Sequence, residues 1–543
     1  MLVAALPCLA GAVFGPGVCY DVGKGSYSAD ARVKDTHDTV LCWAASSSNL
    51  IQYWQDTYLK AHARPDTPHG MNAQVYGEPQ GTRYLNVYEQ FLKSSAGDEG
   101  GFQADALNWW FKNAPMKELG GKEAYYSVFE AQPAAAEARS YLMEEPTLAQ
   151  FREMLELAFR HRGQAAGLYV WQINRRERPG TMPSKSRFHA ITCWGYEMDA
   201  AGEPTALYLS DSDDRAFGVF MVHVDRRVIH DPFSGMRYPS IVFYTDDDVD
   251  GYQPGEFEPN LHSACAILTP ESIAKPRPKP NADPAAAARE NTILPAGTAL
   301  KEDLQVGDGT NCVLLHAENL KLDAALRIGG GSLASVEGLS ARAVRNDGKL
   351  YLRGGGNTLR GVQNNGYMEC VGADSIVLHG ADNAGRLALR GNKSAAVKGA
   401  PLRNRGTVLL CGKSAIRFEN AALDSSNGTV LLGQDTNGCT PTELRFTDAE
   451  GHTLSITSAP NAVGELHNVT ITPTAILGHG PDAALRNVKI NGQPKLTNVE
   501  PPPPACSSSP APPAPPPPPC GTPRSSPASA FPPHPIARTP APA

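Results

Sequence analysis

Hydrophobic and polar residues follow different patterns in successive parts of this chain. Helical and strand-like patterns alternate over residues 17–272, which hold nearly all the tryptophan and most of the tyrosine. Residues 273–289 are dominated by proline and alanine and predict a linker. Residues 290–500 contain short apolar strands separated by glycine and asparagine. Residues 501–543 predict a disordered Pro-rich tail, extended and solvated.

The region 290–500 contains a repeat. In each unit an asparagine and a glycine precede a short apolar strand, and the glycines are 18, 19, 21 and 22 residues apart. The units begin at Asn346, Asn365, Asn383, Asn404 and Asn427. Asparagine and glycine favour turns with positive φ, and a period near 20 residues predicts an all-β solenoid, a right-handed parallel β-helix. The alternative is a β-sandwich with similar turn spacing.

The solenoid region is predicted to bind rather than to catalyse. Its acidic residues are few and lie mostly at turns, so it lacks the charged clusters on one face that β-helix enzymes use. We expect a stalk, adhesion or recognition module that makes surface or glycan contacts.

The beginning of the chain and its overall charge indicate where the protein acts. Residues 1–16 are apolar with small side chains, and the first cation is Lys24. They predict a signal-peptide remnant; the alternative is an apolar N-terminal strand. The net charge of −7 and the absence of a long Lys/Arg run argue against nucleic acid as a partner. No apolar run is long enough for a membrane span. We therefore expect a secreted or cell-surface protein.

One of the eleven cysteines stands out. The cysteines are scattered without a CxxC pair, so zinc, iron–sulfur or dense disulfide frameworks are not expected. Cys42 precedes Trp43 and a run of small residues, and apolar positions at three- and four-residue steps predict an amphipathic helix with Asp38 or Thr39 as N-cap. A thiol in the first helical turn is stabilised as thiolate, and the same N–H groups can point at an oxyanion. The alternative is a buried structural cysteine.

A predicted β-hairpin carries a histidine and a carboxylate. Residues 188–210 form two strand patterns around a turn at 199–202. His189 lies early on the first strand and Asp211 just past the second, so antiparallel pairing brings them side by side. Asp211 can then fix the imidazole tautomer while the other ring nitrogen faces Cys42. The alternatives are a structural strand histidine and a calcium loop beginning at Asp211, which lacks the glycine and distal glutamate of an EF-hand.

These segments resemble the Mac/IdeS-type family of secreted bacterial immunoglobulin-degrading cysteine endopeptidases, over residues 17–245. The similar segments are the nucleophile helix 41–54, the hairpin 189–213, the Gly-Val-Cys-Tyr-Asp-Val-Gly-Lys segment 17–24 and, more weakly, residues 99–111. Trp43 replaces a family glycine. About eight extra residues separate Lys24 from Cys42, and Arg32 and Lys34 lie nearer to that cysteine.

The resemblance implies an α+β papain-like cysteine peptidase domain with no cofactor and no metal. It implies these roles: Cys42 as nucleophile, His189 as its ion-pair partner and general acid, Asp211 as the orienting carboxylate, Asp213 as a supporting carboxylate, and Lys24 with the backbone N–H of Cys42 as the oxyanion hole. The implied partner is a protein substrate, with host immunoglobulin as the family-based expectation. The alternatives are a peptidoglycan amidase or acyltransferase using the same residues, and a non-enzymatic surface adhesin.

Overall fold

The computed structural model describes two stretches of the chain in detail. The described residues are 11–24, 38, 40–56, 85–95, 97, 100–112, 116–119, 136–140, 147–161, 165–172, 187–213, 218–230, 237–245, 247, 260–267, 279–411, 414–432, 443–447, 449, 453–458, 464–471, 477–479 and 488–492. All the described residues belong to one compact unit. The predicted Pro-rich tail, residues 1–10, Arg32 and Lys34 lie outside the described residues.

The first stretch combines helices with an antiparallel sheet. Its α-helices in the described residues are α1 (Cys42–Trp54), α2 (Asn86–Ser94), α3 (Gln103–Lys112) and α4 (Leu148–Glu156), with a 3₁₀ helix at Lys117–Leu119 and a π-helix at Leu157–His161. Its strands are β1 (Gly11–Phe14), β2 (Ala136–Ser140), β3 (Ala166–Gln172), β4 (Arg187–Met198), β5 (Pro204–Ser210), β6 (Phe220–His230), β7 (Arg237–Tyr244) and β8 (Asn260–Ile267). This is an α+β arrangement; a papain-like fold remains a prediction.

Strands β3 to β8 close into a ring. The order is β4-β3-β8-β7-β6-β5, and β5 pairs back onto β4. Residues 11–14, which lie in the predicted signal remnant, form β1, which pairs antiparallel with β4 from Gly11↔Met198 to Phe14↔Gly195. The apolar-strand alternative fits them, because Phe14 is buried and packs edge-on against Tyr208.

The predicted hairpin is confirmed. β4 and β5 pair antiparallel from Thr192↔Ser210 to Met198↔Pro204. Gly202 adopts a φ of +79° and donates its N–H to the carbonyl of Asp199 at 2.9 Å, which closes the turn. The register places the end of β5 beside the middle of β4.

The helix predicted to carry the nucleophile differs from its prediction in two ways. It begins at Cys42 with Leu41 as N-cap and no side-chain cap, so Asp38 does not cap it, and Thr39 lies outside the described residues. All its residues are buried, so it presents no polar face to solvent. Its polar positions face neighbouring segments rather than solvent, because the helix lies between α2, α3 and the sheet.

The second stretch is a β-solenoid, as the repeat predicts. Its strands are β9 (Thr292–Ile293), β10 (Ala299–Leu300), β11 (Leu304–Val306), β12 (Leu314–Ile328), β13 (Leu333–Asn346), β14 (Lys349–Arg353), β15 (Gly356–Asn364), β16 (Tyr367–Val371), β17 (Ser375–Asn383), β18 (Arg386–Arg390), β19 (Ala395–Lys398), β20 (Leu402–Asn404), β21 (Thr407–Cys411), β22 (Ile416–Glu419), β23 (Leu423–Leu432), β24 (Glu443–Thr447), β25 (Thr453–Ser458), β26 (Gly464–Ile471), β27 (Leu477–His479) and β28 (Val488–Gly492).

Parallel pairing runs from turn to turn through most of the solenoid. One column of partners passes through Leu333, Lys349, Tyr367, Arg386 and Thr407. Strands β25 to β28 pair antiparallel instead, so the parallel ladder stops at β24. The right-handed sense of the helix stays a prediction.

The repeat glycines are needed for close approach, not for positive φ. None of the five has a positive φ. A Cβ at Gly366 would lie 1.9 Å from the carbonyl oxygen of Gly348, and one at Gly385 would lie 2.1 Å from that of Gly366. Each turn therefore stacks directly on the backbone of the turn before it, which only glycine permits.

Buried asparagines form a second column beside the glycines. Asn346 donates to Asn364, Asn364 to Asn383, and Asn383 to Asn404, at 2.7, 2.6 and 2.8 Å. The member in the second turn is Asn364 rather than Asn365 of the repeat pattern, and Asn365 is exposed. The side-chain oxygens of Asn364, Asn383 and Asn404 each accept from the asparagine before them, which compensates for their burial, whereas Asn346 Oδ1 at the start of the column has no hydrogen-bond partner among the described residues.

The predicted linker and the solenoid both pack more closely than the sequence suggests. Within residues 273–289, Pro284–Ala288 form a 3₁₀ helix with Ala287 buried. The hydrophobic cluster that forms the core of the first stretch also includes side chains from the solenoid: Leu314, Leu333, Tyr351 and Tyr367. The described parts of the two stretches therefore share a buried interface.

Candidate active site

Cys42 is the first residue of α1 and only 8% of it is exposed. Its Sγ lies 3.9 Å from the carbonyl oxygen of Val40. Asn49, two turns along the helix, donates to Thr192 Oγ1 of β4 at 3.1 Å and accepts from the backbone N–H of Val22 at 3.3 Å. This amide ties the cysteine helix to the strand of His189 and to the segment that leads to Lys24.

His189 and the two predicted carboxylates lie together. His189 Nε2 is 2.5 Å from Asp211 Oδ1, and Nδ1 is 3.8 Å from Asp213 Oδ2. The backbone N–H of Asp213 donates to Asp211 Oδ1 at 2.9 Å. Since Nε2 faces Asp211, Nδ1 is the ring nitrogen left for Cys42, and the charge of His189 acts on that thiol. The structure thus brings the predicted Cys, His and Asp residues into one cluster.

Lys24 also belongs to this cluster. Its Nζ lies 2.5 Å from Asp213 Oδ1, and its side chain is 1% exposed. Its backbone N–H donates to the carbonyl of Ser212 at 3.1 Å. The side chain is therefore held beside the two carboxylates, and its charge acts on Cys42.

The charges of the cluster favour a thiolate–imidazolium pair. Burial by itself would raise the pKa of the Cys42 thiol, but the hydrogen bond with His189 and the positive charges of His189 and Lys24 hold this pKa below its usual value. Burial would lower the pKa of His189, yet Asp211 and Asp213 raise it well above its usual range. Burial opposes ionisation of Asp211 as well, but His189 lowers its pKa.

Other buried thiols in the described residues behave differently. Burial raises the pKa of Cys193 and of Cys265 to about 12, and it raises those of Cys19 and Cys370 as well. The thiol of Cys42 is therefore electrostatically distinct from these structural cysteines.

Two contacts of the site were missed by the sequence reasoning. Tyr88 of α2 donates its hydroxyl to Asp38 Oδ2 at 3.1 Å, and burial followed by the Asp38 and Cys42 charges raises the pKa of Tyr88. Gln103 of α3 donates to Ser46 Oγ at 2.6 Å and to the carbonyl of Ile191 at 3.1 Å. Gln103 falls in the segment 99–111 that resembles the family; no sequence signal singles out Tyr88.

An exposed aromatic group lies beside the cluster. Phe102 and Phe188 are 47% and 51% exposed, and both contact Tyr169, with Phe188 stacked on it at 5.5 Å between ring centroids. Burial raises the pKa of Tyr169 to about 12, with a further contribution from the Cys42 charge. Apolar surface is thus accessible near the thiol.

The same cluster has the donor set of a metal site. One ligand atom from each of His189, Asp211 and Asp213 lies within 4.8 Å of the others. The ammonium of Lys24 already lies against Asp213. A second cation at this place would be repelled by it, so the charges fit acid–base chemistry better than metal binding.

Comparison with known proteins relates part of the chain to a protease. It is 24% identical over 228 residues to the IgM protease of Streptococcus suis (strain P1/7), and the match covers 36% of this chain. The chain spans 18% of the length of that relative. No protein-family model matches the chain. Among the helices described above, none has the length and apolar character that a membrane crossing requires. The similarity supports a relationship to an immunoglobulin-degrading protease over part of the chain.

Proposed function

We propose that the first half of this chain is a secreted cysteine endopeptidase that cleaves immunoglobulin chains. The observation that carries the proposal is the buried cluster in which His189 Nε2 lies 2.5 Å from Asp211 Oδ1 and the charge of His189 acts on the Cys42 thiol. The similarity to an IgM protease favours peptide-bond hydrolysis over the amidase and acyltransferase alternatives, which would use the same residues.

The proposed mechanism uses side chains alone. The Cys42 thiolate attacks the scissile carbonyl carbon and forms a tetrahedral intermediate. His189 then gives its proton to the leaving amine, and water hydrolyses the thioester with His189 as the base. Asp211 accepts from Nε2 and keeps the ring oriented. The ammonium of Lys24 and the backbone N–H of Cys42 would stabilise the oxyanion.

The exposed aromatic group suggests how a substrate is held near the thiol. Phe102, Tyr169 and Phe188 present apolar surface close to the cysteine. An extended substrate segment could bury an apolar side chain there, which would retain the peptide while the thiolate reacts.

A cleavage assay tests the proposal. Purified IgM, IgG and IgA, with casein as a non-immunoglobulin control, are incubated with the wild-type chain, Cys42→Ala and Cys193→Ala, and fragments are mapped by mass spectrometry. We expect immunoglobulin fragments from the wild type and from Cys193→Ala, whose thiol is buried away from the cluster, and none from Cys42→Ala. Equal cleavage by wild type and Cys42→Ala, or no cleavage of any immunoglobulin by the wild type, would contradict the proposal.

A further inference from the structure

The solenoid meets the sheet through paired charges. Arg353 Nη1 lies 2.6 Å from Glu197 Oε2, and Ser335 Oγ donates to Glu197 Oε1 at 2.6 Å. His223 Nε2 lies 2.8 Å from Glu369 Oε1. In each contact one partner comes from the sheet and the other from the solenoid. Buried charges are tolerated only with such partners, so the two stretches are held in one register rather than tethered loosely.

A main-chain contact leads from this interface toward the active site. Val219 donates its N–H to the carbonyl of Gly331 in the solenoid at 3.1 Å. At Gly218 a Cβ would lie 2.3 Å from the Cα of Gly331, so the two backbones touch. Gly218 in turn donates its N–H to Asp21 Oδ2 at 2.8 Å. Gly218 therefore contacts both Gly331 of the solenoid and Asp21.

Asp21 precedes Lys24 by three residues, and Lys24 contacts the segment that carries the two aspartates. The backbone N–H of Lys24 donates to Ser212, which lies between the two candidate aspartates. Two residues beyond Val219, the N–H of Met221 donates to the hydroxyl of Tyr351 at 3.0 Å. Tyr351 is a solenoid residue and is buried. The solenoid thus contacts residues 218–221, which follow the aspartates in sequence. Gly218 in turn contacts Asp21, three residues before Lys24.

The start of the lysine segment is held by the solenoid as well. Asn291 donates its side-chain amide to the carbonyl of Gly15 at 3.0 Å and its backbone N–H to that of Gly17 at 2.6 Å. Cys19 donates its N–H to the carbonyl of Cys312 at 2.8 Å. Residues 15–19 therefore lie against the first turns of the solenoid, immediately before the segment that ends at Lys24.

We infer that the first turns of the solenoid position the candidate active site, by holding residues 15–24 and 218–221 in register with Cys42. The inference rests on the proposed function and deepens it. The solenoid supplies no reacting group; Gly331 and Tyr351 act as positioning residues through Lys24 and the aspartate segment. The solenoid is accordingly more than the stalk, adhesion or recognition module that its sequence predicts.

Two substitutions in the full-length chain test the inference. Tyr351→Phe keeps the buried ring and removes only the hydroxyl, which accepts from the Met221 N–H at 3.0 Å and donates to the Met221 carbonyl at 3.5 Å. Gly218→Ala forces a Cβ against Gly331; its matched control is Gly11→Ala, where φ is similarly positive and the nearest atom to a Cβ is 3.8 Å away. The readout is the rate of Cys42 alkylation by iodoacetamide between pH 5 and pH 9, assigned by peptide mapping, alongside the thermal midpoint and the split between kcat and KM on a cleaved immunoglobulin.

We expect Tyr351→Phe to move the alkylation profile to higher pH and to lower kcat about tenfold with KM little changed, because small displacements of catalytic groups are costly. Gly218→Ala should do the same more strongly, and Gly11→Ala should match the wild type. If Tyr351→Phe is folded and keeps the wild-type profile and kcat, the inference is overturned, even where Gly218→Ala fails to fold. A wild-type Cys42 that does not react at pH 6 overturns the proposed function, and the inference with it.

Discussion

The buried ion pair of Lys24 and Asp213 makes a quantitative prediction for the replacement Lys24→Met. Nζ and Oδ1 are 2.5 Å apart, and the two side chains are 1% and 11% exposed. At an effective dielectric constant of about 20, two unit charges at that distance attract by roughly 7 kcal/mol. Removing each ion from water costs several kcal/mol, so the intact pair is close to break-even. Loss of the lysine alone leaves the buried Asp213 carboxylate without its nearest cation, with His189 Nδ1 3.8 Å away, and should cost about 3–5 kcal/mol.

Urea unfolding of the full-length chain measures this cost. We expect Lys24→Met to lower the free energy of unfolding by about 3 kcal/mol or more, and the double variant Lys24→Met/Asp213→Asn to recover most of the loss, since no lone charge is then buried. The control Lys93→Met removes the exposed pair with Glu89, 66% and 59% exposed, and should change stability by no more than about 0.5 kcal/mol.

The same variant should also change the reactivity of the thiol. Because the Lys24 charge helps to lower the pKa of Cys42, Lys24→Met should raise the pH at which iodoacetamide labels that cysteine. If Lys24→Met is as stable as Lys93→Met and Cys42 is labelled at the wild-type pH, the reasoning about this buried pair is refuted.

Three further predictions concern pH and the repeat. The thiolate–imidazolium pair exists between the lowered pKa of Cys42 and the raised pKa of His189. Immunoglobulin cleavage should therefore follow a bell-shaped pH profile whose alkaline limb lies well above pH 6.5. A profile without that limb would count against His189 as the acid. The stability that protonated His189 contributes should be complete below its unfolded pKa near 6.5 and be lost as pH rises through its folded pKa, which thermal midpoints across this range would measure. Gly385→Ala, whose Cβ would lie 2.1 Å from the Gly366 carbonyl oxygen, should lower the free energy of unfolding in urea by about 3 kcal/mol. Gly372→Ala, where φ is +64° and no atom lies within 4 Å of a Cβ, should lower it by about 1 kcal/mol. Equal losses of stability would contradict the stacking argument.

Local patterns predicted much of the secondary structure. The hairpin was expected over residues 188–210, and its strands are Arg187–Met198 and Pro204–Ser210. The helix after Cys42 and the parallel solenoid were expected from apolar spacing and from a period near 20 residues. Each of these features depends on residues within about one repeat of each other, so a short window of sequence contains the whole signal.

Local sequence patterns do not predict the role of a residue when that role depends on its neighbours in space. The repeat glycines were assigned to positive-φ turns, but Gly366 is required because the backbone of Gly348 lies against it. Leu41 rather than Asp38 caps α1, and the Asp38 side chain accepts from Tyr88 instead. The type of a residue indicates its backbone and capping preferences. It does not indicate which atoms a distant segment places beside that residue.

By itself, the sequence determined which segments form the helix, the hairpin and the solenoid, and it singled out Cys42, His189 and Asp211 as a set. Only the tertiary structure decided that Arg353 pairs with Glu197, 156 residues earlier, and that the solenoid packs against the sheet that carries His189. The physical reason is that periodicity specifies which side of a segment is apolar. It does not specify which other surface covers that side, because this depends on shape and charge complementarity between residues far apart in the chain.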